Sequence, residues 1–497
     1  AEANATGEGT LRRTLGPISL VALGIGAIIG AGLFVRTAAA IAERSGPSVT
    51  LGFIVAGIGC AFAGLCYAEF ASMIPVAGSA YTYSYATMGE FVAWVIGWDL
   101  VLEYAVGAAT VSIAWSEYLN KLLELFGVSI PYQFCHSPFQ SLRDASGNVV
   151  ASGIINIPAL IILSLLTWLL IRGTHESAFV NGIIVVTKVA IVLMVIVLGW
   201  GYINPANHAV YIPEATSFTN AEGVTHHYGG LLGILGAAGV VFFAFIGFDA
   251  VSTAAQEAKN PKKDMPIGIL GSLVVCTILY ILFSHVLSGL ATVEDFRTHG
   301  REASVAYAIS TYMPGYQWLA NLVTVAILAG FSSVILVMLL GQSRVFYSMS
   351  RDGLVPPVFG EVHPRYRTPW KSNLIFLVVT GLFAAFVPGD IVGEMTSIGT
   401  LFAFMLVCAG VWILRVREPN RQRAFKTPLV PLVPILGILV CGAMIFGLGW
   451  TNWLRLIAWL AIGLFIYFGY SRSHSLLGRQ SPSTAGGRAP APGHAET

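Results

Sequence analysis

The sequence predicts an all-α integral membrane protein of about twelve transmembrane helices, on three observations. Of its 497 residues, 56% are hydrophobic and 10% charged, with a mean hydropathy of +0.75. A water-facing surface needs about a quarter of all residues charged, so most of this surface faces lipid. Apolar runs of about 20 residues, the length that carries a helix across a hydrocarbon core, recur along the whole chain. The runs are continuously apolar rather than alternating, which selects helices over a barrel.

In chain order, spans are expected near 17–40, 48–74, 91–119, 154–171, 178–200, 230–254, 265–290, 316–343, 372–387, 394–414, 429–447 and 453–470. The eighth is the clearest, with nothing charged between Gly315 and Ser343. Residues 1–10 form a polar tail without a signal-peptide pattern, so the first apolar run reads as a span and not a cleaved leader. Residues 11–475 make up the membrane domain. Residues 476–497, rich in Ser, Pro, Gly and Ala, are expected to be a disordered tail.

Charge orients the set. With the N-terminus in the cytoplasm, most of the 27 lysines and arginines fall inside, among them Lys259, Lys262, Lys263, Arg415, Arg417, Arg421, Arg423 and Lys426. The outer segments hold Arg36, Arg44, Lys121, Arg143, Arg297, Arg301 and Arg455. This bias places both termini in the cytoplasm of a cell-membrane protein. A net charge of +2 suggests no nucleic-acid partner, and the basic loops read as topology determinants in contact with anionic lipid.

Several classes are disfavoured. There is no GxxxxGK[ST] motif and no soluble region large enough for a nucleotide domain, which argues against an ATP-driven pump. Cysteines and histidines lack metal-type spacing, five of the six cysteines fall in spans, and no disulfide framework is expected. No set of His, Asp and nucleophile gathers at one depth, as a membrane enzyme would require. No cofactor is expected, the proton gradient serving as the energy source.

Two spans are interrupted by glycine. Gly24, Gly26, Gly30 and Gly32 fall within nine residues of the first, and Gly230, Gly233, Gly236 and Gly239 lead into Phe243-Ala-Phe-Ile-Gly-Phe-Asp249 in the sixth. Glycine disfavours a continuous helix and permits unusual backbone angles. Breaks in spans one and six suggest two five-helix halves of inverted topology, about 17–200 and 230–414, followed by two extra helices at 429–470. Paired breaks of this kind point to a transporter's midplane binding site and argue against a channel.

These segments carry a resemblance. Gly24–Gly32 with Leu33-Phe34-Val35, Cys66-Tyr-Ala-Glu-Phe70 with Pro75 and Gly78–Tyr83, and Gly97-Trp-Asp-Leu-Val-Leu-Glu-Tyr104 form its first part. Phe243–Ala250 with Glu257, Asn260 and Pro261, then Arg344-Val-Phe-Tyr347 and Arg351-Asp-Gly353, complete it. In order and spacing the chain resembles the amino acid–polyamine–organocation superfamily, specifically the bacterial relatives of the cationic amino acid transporters. The likeness covers about residues 11–475 and implies a leucine-transporter-type fold that moves L-amino acids by alternating access. The mammalian cationic transporters have fourteen spans, so a count of twelve favours the bacterial branch.

The resemblance assigns roles. Backbone amides of Ile28, Ile29, Gly30, Ala31 and Gly32 would hold the substrate carboxylate, as the N-terminal end of a half-helix does. Carbonyls of Ile25, Phe245, Ile246 and Phe248 would take the α-amino group. Phe245 would close the pocket as an aromatic gate, the alternative being a core aromatic. In sodium-coupled relatives a cation site lies between the first, fifth and eighth helices. Lys188, mid-span in Val186-Thr-Lys-Val-Ala, could put its amine there, near Gly24, Ser332 and Ser333.

A lysine in hydrocarbon pairs or gives up its proton. Lys188 is therefore expected either to couple transport to protons or to sit as a structural ion partner. Glu103, one turn after Asp99, is an intramembrane carboxylate that could line the side-chain pocket, attract a cationic side chain or relay protons; a buried carboxylate satisfied by hydroxyls or by Lys188 is the alternative. Asp249 is expected to cap the resumed sixth helix, and Glu69 to serve as a gate or ion partner. Met338 could limit the pocket and favour small neutral substrates, or simply pack. Members of the L-type branch bond a heavy subunit through an outer-loop cysteine; the surroundings of Cys135 give no match, so no heavy-chain partner is expected. His136, His226 and His227 are expected to be solvated.

Overall fold

The computed structural model describes residues 15–73, 79–143, 148–173, 178–220, 223–253, 258–298 and 304–476. Most of both tails, and Pro75, Gly78 and Glu257 of the sequence motifs, lie outside the described residues.

Helix occupies the apolar segments. The first comprises α1 (Pro17–Ile28) and α2 (residues 32–45), followed by α3 (Val49–Met73), the short α4 (Ser79–Thr87) and α5 (Glu90–Glu124). Then come α6 (Ile157–Arg172), α7 (Ala178–Trp200), α8 (Gly230–Phe245) and α9 (Ala250–Thr253). Next are α10 (Pro261–Leu290), the short α11 (Val293–Thr298) and α12 (Ser304–Tyr312), and α13 (Gln317–Arg351). The chain ends in α14 (Trp370–Phe386), α15 (Gly389–Arg417), α16 (Leu432–Leu448) and α17 (Trp450–His474).

Among the described residues, seven helical stretches are long and apolar enough to cross a membrane, and five shorter apolar helices accompany them. One of the seven, Gly32–Met73, turns back at Gly46, whose φ of +56° separates α2 from α3. Two antiparallel hairpins stand in the connections: β1 (Ser141–Arg143) with β2 (Val149–Ser152), and β3 (Thr216–Thr219) with β4 (Thr225–Tyr228).

Local chemistry sets the helix ends. Asn156 caps α6 by accepting the Ala159 amide at 3.2 Å, Pro158 stands in its first turn, and Gly173 closes it in the left-handed conformation. Small residues let helices approach without a solvent-driven force. A β-carbon on Gly57 would come within 2.8 Å of Thr277, and one on Gly64 within 2.6 Å of Leu273, so α3 lies directly against α10.

Charges at the two ends of the bundle are paired. At the expected cytoplasmic end, Glu69 of α3 accepts Arg415 Nε and Nη2, each at 2.9 Å, Arg423 at 3.0 Å and the Thr427 amide at 2.8 Å. At the other end Glu394 of α15 takes Arg44 of α2 at 2.6 Å, Asn452 at 2.8 Å and Arg455 at 3.3 Å, while Arg36 binds Asp390 at 2.9 Å. These clusters tie α16 and α17 to the rest. A buried carboxylate needs such partners.

Candidate functional site

Both expected breaks are present, and they touch. Ile29 ends α1 with extended backbone (φ −72°, ψ 107°), and the chain bends at Gly30 before α2 begins. In the sixth segment a tight turn at 242–245 is followed by extended Ile246 (φ −59°, ψ 133°) and by Gly247 at φ +113°. Only glycine adopts that φ without strain. Its α-carbon also lies on the Ala27 carbonyl, where a β-carbon would sit 2.8 Å from the oxygen. Gly32 packs on the backbone of Ala244 so closely that a β-carbon would fall 2.1 Å from the Ala244 Cα.

A helix end leaves its last four carbonyls and first amides without partners in the helix itself. Of the last four carbonyls in α1, that of Ile25 accepts the Ile29 amide at 2.9 Å, that of Gly26 accepts Lys188 Nζ at 2.8 Å, and that of Ile28 accepts the Tyr280 hydroxyl at 3.1 Å. Lys188 therefore reaches the break itself. It is 4% exposed, and its stem crosses α13 at Gly330, where a β-carbon would stand 2.8 Å from Lys188 Cε. Lys188, on α7, thus lies against α1 and α13, with Gly26 as acceptor. Gly24 instead faces Ser272 of α10, and Ser332 donates to the Leu328 carbonyl of its own helix at 2.9 Å; Ser333 is buried on α13. A small apolar cavity lined by Ile29, Phe34, Lys188, Ile191 and Phe331 adjoins the lysine.

The amide set expected for a carboxylate narrows. Ile28 lies in the last turn of α1 and the Ile29 amide is bonded to Ile25, so both belong to the inner half-helix. The amides of Gly30, Ala31 and Gly32 stand at the start of the outer half. On the other break, Phe245 is fully buried, its ring centroid 5.3 Å from Tyr280 and 6.3 Å from Phe53. Phe248 packs on Tyr67 and Phe404, at 5.6 and 5.0 Å, and its carbonyl takes the Val251 amide at 3.3 Å. The Ile246 amide closes the turn on the Phe243 carbonyl at 3.3 Å.

Glu103 is fully buried in a widened turn of α5, residues 102–106, and faces Asp249 and Asp99. Asp249 Oδ2 accepts the Tyr104 hydroxyl from α5 at 2.7 Å, joining the third helical segment to the sixth. Met338 is buried with its sulfur 3.2 Å from where a β-carbon on Gly107 would lie.

Two expectations for the outer loops need correction. His226 is buried and lies 3.9 Å from Glu43, because β4 lies against α2. His136 bonds Glu117 at 2.8 Å and stacks on Tyr132 at 3.8 Å. Burial opposes its charge, but contacts with Cys135 and Glu117 outweigh that and push its pKa up to about 11. His227 is exposed, as expected, and all six cysteines are free and buried.

Interrupted helices that touch inside a bundle of apolar helices are the arrangement in which membrane transporters build a midplane site. The family follows from comparison: the amino acid permease model matches residues 15–471, and the chain belongs to that family. It is 43% identical over 475 residues to the branched-chain amino acid permease BcaP of Bacillus subtilis, covering 95% of this chain and 96% of the relative. It is 38% identical to the methylthioribose transporter of the same organism (95% and 96% covered), and 38% identical to cationic amino acid transporter 9, chloroplastic, of Arabidopsis thaliana (84% and 69% covered).

Proposed function

We propose that this permease is a secondary active transporter that carries an L-amino acid across the plasma membrane by alternating access, coupled to protons through Lys188. The reading counts twelve crossings, the first made of α1 and α2 together and the second of α3: two inverted sets of five, then α16 and α17, with both termini in the cytoplasm. The amides of Gly30, Ala31 and Gly32 receive the carboxylate. Carbonyls beside the two breaks receive the α-ammonium, and Phe245 closes over the substrate.

One observation carries the coupling: Lys188 Nζ lies 2.8 Å from the carbonyl that the first break exposes. A hydrogen bond from a charged group contributes roughly 1.5–3 kcal/mol, enough to shift a two-state balance about ten- to a hundredfold. Protonated Lys188 holds the end of α1, and loss of the proton removes the charge that strengthens this bond and loosens the hold. Glu103, facing Asp249, is the second candidate proton carrier.

A neutral, apolar side chain fits best, since Phe245, Ile246, Phe248 and Met338 are all buried. Thermal stabilisation of the purified protein by branched-chain amino acids, cationic amino acids and methylthioribose tests this through mass action on the native state. The coupling is tested in proteoliposomes. Lys188→Ala is expected to abolish pH-driven accumulation while keeping counterflow; full pH-driven accumulation by that variant refutes the role. Counterflow without net pH-driven uptake in the parent would instead identify an obligate exchanger.

A further inference from the structure

Tyr280, in the middle of α10, is fully buried, and its hydroxyl lies between the two breaks. It stands 3.1 Å from the Ile28 carbonyl, at the end of α1, and 2.8 Å from the Ala244 carbonyl, in the turn that precedes Gly247. A hydroxyl carries one proton and two lone pairs. It can donate fully to one of these carbonyls at a time, so the trio of two carbonyl oxygens and one phenol oxygen holds three acceptors and a single donor. A buried group of that kind has a surplus of acceptors, and an unmet acceptor in a dry site is costly.

We infer that Tyr280 is a positioning residue for the transported amine: it sets the spacing of the Ile28 and Ala244 carbonyls and leaves an acceptor surplus that a donor-only ammonium fills. This rests on the reading of the breaks as the amino acid site. The ring packs on Phe53 at 5.5 Å and on Phe245 at 5.3 Å. Tyr280 thereby couples the aromatic closing the site to the carbonyls that recognise the amine. An ammonium brings three donors to these acceptors. An N-methylated amine brings fewer and fits less well.

Tyr280→Phe removes the hydroxyl and keeps the ring. Affinity is read by ligand-induced thermal stabilisation for an amino acid that the parent binds and for its N-methyl derivative, together with the melting temperature of the ligand-free protein. The variant is expected to bind the primary amino acid about tenfold more weakly, and the parent's preference over the N-methyl form is expected to narrow. Unchanged affinity, with or without a lower melting temperature, overturns the inference and leaves the hydroxyl a structural staple. Tighter binding also overturns it, because the hydroxyl would then be a placeholder that the amine displaces. A parent that binds none of the amino acids overturns the site reading along with this inference. A parent that binds, with Phe245→Ala weakened and Tyr280→Phe unaffected, overturns this inference alone.

Discussion

At residues 29–30 and again at 246–249 the helix stops, the backbone extends, and helix resumes a few residues on. The surroundings answer the two events with different chemistry. The first break meets a charge: Lys188, from another helix, donates to Gly26. The second meets rings, with Phe245 among Phe53 and Tyr280, and Phe248 among Tyr67 and Phe404. A lysine can change its charge with pH and a phenylalanine cannot. On the proposed reading the first break would respond to protons through Lys188, and the rings at the second would shape the substrate pocket beside the carboxylates of Asp249 and Glu103.

The largest expected effect lies where the two breaks meet. Gly32→Val would drive a branched side chain into the Ala244 backbone, 2.1 Å from its first carbon. Backbone cannot rotate away as a side chain can, and overpacking against flexible neighbours alone costs about 1–3 kcal/mol. The variant is expected to give no monodisperse peak in size-exclusion chromatography. A folded Gly32→Val protein would break the comparison at its root, since the breaks would not need to touch.

Phe245→Ala comes next and separates shape from charge. Removing a buried ring costs about 3 kcal/mol, so the melting temperature should fall. Substrate should bind more weakly at every pH tested, while the pH midpoint of uptake stays at the parent's value. A shifted midpoint would mean that the second break also senses protons.

How much of this could be read from the chain alone depends on the range of each interaction. The breaks were legible because glycine spacing within nine residues is a local backbone property, and Lys188 because a charge stands out against apolar neighbours. Tyr280 was not, since a single tyrosine in the apolar run of α10 is indistinguishable from core. The pairing of Arg44 with Glu394 joins residues 350 apart, and spacing says nothing about such contacts. Five elements escaped for lack of a long apolar run: the short α4, α11 and α12, and the two hairpins β1–β2 and β3–β4. The point where α1 ends was not legible either, because Ile28 and Ile29 are as apolar as their neighbours and only the helix span and the Ile29–Ile25 hydrogen bond assign them to α1.

The smallest expected effect supplies the control that a pH argument at the first break requires. His136, far from both breaks in sequence, is held charged chiefly by its contacts with Cys135 and Glu117, and its pKa is pushed up to about 11 from an ordinary value near 6.5. The folded state therefore binds the proton more tightly than the unfolded chain. This pair's contribution to stability is complete below about pH 6.5 and fades as pH rises towards 11. Glu117→Gln should lower stability by about 1 kcal/mol at pH 6 and flatten the decline of melting temperature between pH 7 and 10, both measured by thermal unfolding. It should leave the pH dependence of uptake intact, because the pair touches neither break. If uptake loses its pH dependence along with stability, the response assigned to Lys188 belongs to the outer loop instead.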